Sequence, residues 1–198
     1  MDQMPKIIEG FTHTEYLTVF SAIIFGYVGA EYFQGWGALL RNRRMVKAYW
    51  QHTLWTIFAF TLFIQNWWGI WPRTKLINES IFYFFYSLVP IFLFYIISVI
   101  LFPDFRSMEK NIKTDMQEYF YSNTRYLFGL FALYFVFTIV SSFVYPDIGN
   151  VLVQNLIRGF GVALAVGAAY FHQNRIIHTI FLIIGYAALI RFFLALPS

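Results

Sequence analysis

The sequence contains no cysteine, so it has no disulfide framework, thiolate metal site, iron–sulfur cluster or cysteine nucleophile. Charge is also scarce. Asp, Glu, Lys and Arg make up 12% of the 198 residues, about half of the fraction usual in soluble domains. No phosphate-binding loop, Gly-x-Ser-x-Gly elbow or His-Glu-x-x-His occurs, so no enzyme motif is present. The net charge of +4 is spread along the chain, which leaves nucleic-acid binding without an electrostatic footprint.

The chain is instead rich in apolar and aromatic residues. Hydrophobic residues make up 59% of it, with 25 Phe, 14 Tyr and 6 Trp, and the mean hydropathy is +0.58. Uncharged stretches longer than twenty residues occur, and twenty residues of helix cross the hydrocarbon core of a bilayer. The sequence therefore predicts an all-α polytopic integral membrane protein, whose chief partner is the lipid bilayer.

Six stretches are long enough to span a bilayer, and we expect residues 1–198 to form a single transmembrane domain. The predicted spans are residues 14–40, 48–71, 80–102, 123–145, 148–171 and 174–196. Compact polar turns at residues 145–150 and 172–175 separate the last three, since a merged helix would be too long for one crossing.

Loop charges predict the orientation. With the N-terminus outside, the inner segments hold eight Lys or Arg residues and the outer segments hold three. Because basic residues concentrate on the cytoplasmic side, both termini are predicted to lie outside a plasma membrane of the bacterial type. The first dozen residues have no apolar run of signal-peptide length, so we expect the first span to be retained.

The connection between the third and fourth spans has an amphipathic pattern. Within residues 103–122, apolar side chains recur at steps of four, at Met108, Ile112, Met116 and Phe120. This spacing predicts one short amphipathic helix on the cytoplasmic interface, where it serves as a spacer or contacts a partner or lipid.

Small residues predict where helices pack. They recur at steps of four in the first span, at Ala22, Gly26 and Ala30, and in the fifth, at Gly161, Ala165 and Ala169. Such stripes allow close backbone approach within one chain or across a homo-oligomer. The bulky third and fourth spans are predicted to face lipid.

Charges within the hydrocarbon are costly and mark functional or paired groups. Arg158 falls near the middle of the fifth span, and Glu31 falls in the inner third of the first. One interpretation is a structural ion pair between them. The other is a polar path for a small ion, with an anion favoured by the surplus of arginine. The other predicted members of that path are Gln65, Asn66, Gln154, Asn155 and Arg191. Arg191 could instead extend to the headgroups without a ligand.

Histidines gather near the predicted inner side. His52 and His178 each lie about one turn into a span, and His172 lies in a turn between spans. Imidazoles can bind a metal or ligate haem axially, so a metal or haem site is an alternative, although the spacing matches no known box. Interfacial histidines bonded to backbone are the commoner case.

Three functions remain open. The leading hypothesis is a transport-type protein, a channel or carrier for a small ion, and no cofactor is predicted for it. The alternatives are a membrane enzyme or redox subunit with a histidine metal or haem site, and a non-catalytic scaffold or signalling subunit. Arg41, Arg43 and Arg44 could bind anionic lipid, although basic residues beside a span are first of all a topology signal.

Overall fold

The computed structural model describes residues 13–70, 73–105, 113–145 and 151–194. These residues form six helices of 20 residues or more, one short helix and two short strands. The helices are α1 (His13–Arg41), α2 (Trp50–Ile70), α3 (Thr74–Glu79), α4 (Ile81–Leu101), α5 (Met116–Val144), α6 (Val151–Tyr170) and α7 (Arg175–Leu194). The strands are β1 (Val46–Lys47) and β2 (Thr114–Asp115), which pair in parallel.

Five of these helices are long and apolar enough to cross a membrane, which confirms an all-helical protein with several membrane-spanning candidates. They are α1 from Glu15, α4, α5, α6 and α7. The exception among the long helices is α2, which matches α4 in length at 21 residues. It is less apolar because Gln51, His52, Gln65 and Asn66 lie within it. Each of the six predicted stretches overlaps one of the long helices: α2, α4, α6 and α7 lie within theirs, whereas α1 and α5 extend beyond theirs.

Side-chain caps fix where three of the helices begin. Ser80 accepts a hydrogen bond from the backbone N–H of Phe82 at the start of α4, at 3.2 Å. Asp115 does the same for α5, accepting from Gln117 N at 2.8 Å. Asn174 accepts from two backbone N–H groups of the first turn of α7. Each cap satisfies donors that the first turn of a helix leaves unpaired.

The early start of α5 changes the interpretation of the predicted interfacial helix. Residues 116–122 form the first turns of α5, and Met116 and Phe120 are buried in the bundle rather than laid on a membrane surface. Residues 106–112 lie outside the described residues. The apolar period in this segment therefore reflects, from Met116 onward, the core-facing side of a long helix.

The core is aromatic and centres on α2, α4 and α5. Its fully buried side chains include Tyr32, Phe94, Phe128 and Phe131, and the rings of Trp55 and Phe128 meet edge to face at 4.7 Å between centroids. Half of the apolar window of α4 is buried, against 11% for α6. The third span is therefore half buried, contrary to the expectation that it faces lipid, and a third of the window of α5 is buried as well. Large rings gain most from close contact with other side chains, so they fill the interior.

Small residues pack as predicted in α6 but not in α1. A Cβ on Gly161 would lie 3.1 Å from the ring of Phe135, which shows the close approach of α6 to α5. In α1, Ala22 and Gly26 are exposed, and nothing lies within 4 Å of a Cβ on Gly26. This helix packs through bulky side chains such as Phe25 and Tyr32 instead. The homo-oligomer stays a prediction.

Candidate functional site: an arginine-lined cavity

A cavity of about 640 Å³ lies between α2, α4, α5, α6 and α7. Its volume is within the range of small-molecule sites, about 300–1,000 Å³. Three arginines line it, namely Arg73, Arg158 and Arg191. Among the lining residues, all of which the structure describes, none is an Asp or a Glu.

Chain connectivity explains why the three arginines line one cavity. Arg73 precedes α3, just beyond the end of α2, and Arg191 lies in the last turn of α7. Arg158 lies seven residues after the start of α6, a depth of about 10 Å at 1.5 Å per residue. Since α2 and α7 end at the face of the bundle where α6 begins, all three side chains reach the same cavity.

Neutral amides hold Arg158 without cancelling its charge. Its guanidinium donates to Asn155 Oδ1 at 3.0 Å and to Gln154 Oε1 at 3.3 Å. Asn155 in turn donates to Ser142 Oγ at 2.8 Å, which ties this part of α6 to α5. The amides orient the guanidinium, and its positive charge is left for another partner.

Arg73 is held by an aromatic ring. Its guanidinium carbon lies 4.8 Å from the centroid of the Tyr145 ring, a cation–π contact. Burial lowers the pKa of Arg73 from its ordinary value, because low-dielectric surroundings disfavour the charged form. Arg73 also lies close enough to Arg158 for their like charges to interact. The two cations therefore raise each other's energy until an anion joins them.

Several polar atoms around this cavity have no hydrogen-bond partner although they are buried. They are the donors Arg73 Nε and Asn66 Nδ2, the acceptor Gln65 Oε1 and, deeper in the cavity, the indole N–H of Trp55. Buried polar groups are nearly always bonded, and each unbonded one costs about 1–3 kcal/mol. Three of the four lie at the arginine end of the cavity, which indicates that this end is built to receive a polar group.

The predicted polar path is gathered only in part. The cavity is lined by Gln65, Asn66, Gln154, Arg158 and Arg191, while Asn155 supports Arg158 from beside it. Glu31 does not line the cavity, and its side chain lies beside Tyr27 on α1. No ion pair joins Glu31 to Arg158 in the described structure. Helix α1 packs mainly against α4, away from α6.

The sequence interpretation missed Arg73, Tyr134 and Tyr145. Arg73 was counted as an outer loop charge, and nothing in its local sequence distinguishes it from Lys75. The two tyrosines are buried residues of the aromatic core that also line the cavity. Their role depends on how α5 packs against its neighbours, which no local pattern encodes.

At the opposite end of the bundle, the histidines are bonded to backbone. His52 Nε2 lies 2.7 Å from Leu101 O, and His178 Nε2 lies 3.1 Å from His172 O. A carbonyl oxygen only accepts, so both Nε2 atoms carry the proton and Nδ1 is the lone-pair nitrogen of each ring; that of His178 is buried without a partner. The ring of Phe120 packs against both imidazoles. In the described part of the chain, no three His, Asp or Glu side chains form a group that could hold a metal ion.

A buried glutamine joins three helices at this same end. Gln51, fully buried in α2, accepts from the hydroxyls of Tyr49 and Tyr121. Its amide nitrogen donates to Arg175 O at 2.9 Å and to Thr179 Oγ1 at 2.6 Å. All of the hydrogen-bonding capacity of this amide is therefore used.

The basic loop after α1 lies beside this polar network. Arg41, Arg43 and Arg44 are exposed, and Arg43 donates to the backbone oxygen of Leu40 at 3.4 Å. Nearby, Lys47 and Asp115 form an ion pair at 2.8 Å across the two strands. The arginines are accessible to lipid headgroups, and anionic lipid binding there stays a prediction.

Comparison of the chain with protein-family models, with curated proteins and with solved structures found no significant match.

Proposed function

We propose that this protein is an integral membrane carrier that binds an anionic substrate in the arginine-lined cavity. The observation that supports it is the presence of three arginines around one cavity without a lining carboxylate. Arg73 and Arg158 are partly buried, whereas Arg191 is exposed, and unneutralised charges in low dielectric are costly. A structure that keeps such charges around a hollow gains most when an anion enters.

The proposed topology has six spans. Helix α2 becomes the sixth, since its 21 residues cover about 30 Å. Its polar residues face protein rather than lipid: Gln51 and His52 are buried, and Gln65 and Asn66 line the cavity. With both termini outside a plasma membrane of the bacterial type, the arginine end of the cavity lies toward the outer side.

A carrier fits the described structure better than an open channel does. The deepest residues that line the cavity on α2 and α5 are Trp55 and Phe128. Beyond them lie Gln51, His52 and Phe120, all buried and packed. Passage to the inner side therefore requires a rearrangement of helices, as alternating-access carriers undergo.

Reconstitution into liposomes tests this proposal. Two anionic probes are used: inorganic phosphate for a small anion, and a fluorescent short-chain phosphatidic acid for a lipid anion. We expect protein-dependent movement of at least one probe across the bilayer, reduced at least tenfold by Arg158→Gln. One charge-assisted contact to an anion is worth about that factor.

The matched control is Arg125→Gln, which removes an exposed arginine of α5 that does not line the cavity. It should leave the movement of both probes unchanged at equal protein density. A folded wild-type protein that moves neither probe would overturn the carrier proposal, and so would equal loss of activity in the two variants.

A further inference from the structure

Polar and apolar groups are separated along the cavity. The three arginines, Gln65, Asn66 and Gln154 lie where α2 and α7 end and α6 begins. Farther along the helices the lining is aromatic, with Trp55, Phe58, Phe128, Phe131 and Phe181. A small hydrophilic anion would leave this aromatic half unfilled. The lining therefore matches a ligand that is charged at one end and apolar along the rest.

The cavity is also long. On α2 its lining extends from Trp55 to Ile70, fifteen residues, which is a distance of about 22 Å along the helix axis. This length exceeds that of any single inorganic anion and is greater than the hydrocarbon thickness of one bilayer leaflet, which is about 15 Å. A hydrocarbon chain can occupy it in an extended form.

The wall between α6 and α7 is incomplete at membrane depth. Ile157 and Phe160 on α6 line the cavity and are also 48% and 52% exposed. On α7, Ala188 lines the cavity and is exposed as well. These two helices pack much less extensively against each other than α5 and α6 do. A ligand can therefore enter sideways from the bilayer.

Charge balance indicates the kind of headgroup. A carboxylate brings one negative charge, whereas a phosphate monoester brings about 1.5 to 2 together with several acceptor oxygens. Three arginines, with Arg73 Nε and Asn66 Nδ2 unbonded, offer more positive charge and more donors than one carboxylate can use. Arginine also binds phosphate through two parallel hydrogen bonds.

We propose that the occupant of the cavity is a lipid phosphate, an amphiphile with a terminal phosphate monoester and an apolar chain. The phosphate lies among Arg73, Arg158 and Arg191, and the chain lies along the aromatic half toward Trp55. This assignment rests on the proposed function, in that it names the substrate class of the same site. It concerns binding, however, and can be tested without transport.

The test is a binding titration of the full chain in a nonionic detergent, read by native mass spectrometry and by the thermal unfolding midpoint. The probes are hexadecyl phosphate, hexadecanoate, hexadecanol and inorganic phosphate. We expect hexadecyl phosphate to bind at least tenfold more tightly than each of the others and to raise the midpoint. A ligand that binds only the folded state stabilises it by mass action.

Two pairs of variants separate the headgroup site from the chain site. Arg158→Gln should weaken binding of hexadecyl phosphate about 10- to 100-fold, while Arg125→Gln should not. Ala188→Trp should weaken it by filling the side opening, while Ala187→Trp, a change at an exposed residue that does not line the cavity, should not. Unchanged midpoints without ligand show that the variants are folded.

Each contrary result points to a different error. Equal affinity for inorganic phosphate and hexadecyl phosphate would overturn the apolar chain, and tighter binding of hexadecanoate would overturn the phosphate headgroup. Binding that survives Arg158→Gln would overturn the site. If hexadecyl phosphate binds as expected but no probe crosses liposomes, the lipid assignment stands and the carrier proposal fails. If inorganic phosphate crosses liposomes but hexadecyl phosphate does not bind, the carrier proposal stands and the lipid assignment fails.

Discussion

The two ends of the bundle differ in how completely their buried side-chain amides are hydrogen-bonded. At the network end, formed by residues 41–52, 101–105, 113–121 and 171–179, Gln51 bonds partners on α5 and α7 through both atoms of its amide. At the cavity end, formed by residues 65–70, 73–90, 134–145, 151–158 and 188–192, Gln65 and Asn66 of the same helix each keep a buried atom without a partner. One helix therefore carries structural amides at one end and unused ones at the other.

Packing differs in the same direction. At the network end the loops are joined by paired strands, an ion pair and the histidine–carbonyl bonds. At the cavity end the side chains surround a hollow of about 640 Å³. One exception at the network end is His178 Nδ1, which is buried without a partner. Dense packing and nearly complete hydrogen bonding stabilise a fold, whereas open space with several unbonded groups costs free energy and is retained for a function. The difference in packing and hydrogen bonding distinguishes the structural end from the candidate binding site more clearly than the residue types do.

Removing one amide at each end gives the largest expected contrast. Gln51→Leu leaves Arg175 O, Thr179 Oγ1 and two tyrosine hydroxyls short of a partner, so we expect a loss of about 3 kcal/mol in the free energy of unfolding. Asn66→Leu removes a group whose donor is already unbonded, and should change that free energy by less than about 1 kcal/mol. Denaturant titration in one detergent measures both.

The contrast between the ends would be refuted by equal losses in the two variants. Gln51→Met serves as a control, since it keeps a similar volume and adds no charge while removing both N–H donors and the acceptor. It should destabilise the protein like Gln51→Leu, which would show that hydrogen bonding and not side-chain volume is responsible.

Adding one methyl group at each end gives a smaller effect of opposite sign. A Cβ on Gly35 would overlap the ring of Phe102 at the network end, so Gly35→Ala should destabilise the protein by about 1–3 kcal/mol. Nothing lies within 4 Å of a Cβ on Gly69 in the cavity lining. Gly69→Ala should stabilise the protein by about 0.5–1 kcal/mol, because alanine loses less backbone entropy in a helix.

Thermal unfolding in the same detergent measures both glycine variants. A neutral Gly35→Ala would mean that the side chains around Phe102 pack less tightly than the structure shows. The difference between the two ends would then depend on hydrogen bonds alone. A destabilising Gly69→Ala would mean that the cavity end closes more tightly than described.

Helix positions could be predicted from the sequence because apolar length is a local property. Each predicted stretch overlaps a long helix, and the largest difference at a start is the beginning of α5 at Met116 rather than residue 123. Which neighbours a helix packs against is not a local property. The third span was expected to face lipid, yet Phe94 and Ile97 of α4 are fully buried, since that depends on neighbours far away along the chain.

Site residues could be predicted from the sequence where burying their charge is costly. They could not be predicted where only tertiary packing brings them into the site. Arg158 stands out because a charge in an apolar stretch is unusual, and it does line a cavity. Depth counting placed Glu31 near it, but depth says nothing about which helices are neighbours. Arg73 is unremarkable in a loop and gains its importance only from the ring of Tyr145 and the cavity beside it.

The smallest effect concerns pH at the network end. The hydrogen bonds from Lys47 and from Gln117 N stabilise the carboxylate of Asp115 and hold its pKa below the ordinary value. A carboxyl group whose pKa is lower in the folded state contributes stability that is full above its unfolded pKa, near 3.9, and is lost as the pH falls through the folded value.

We therefore expect the thermal midpoint of the wild type to fall as the pH drops below about 4, and the fall to be smaller in Asp115→Asn, where the group cannot titrate. The effect should be well below that of Gln51→Leu, since both partners of the ion pair are solvent-accessible and exposed pairs contribute little. Melting curves of the two proteins between pH 3 and pH 7 measure it. A parallel fall in both would assign the acid sensitivity to other carboxylates and leave the strand pairing stable without its ion pair.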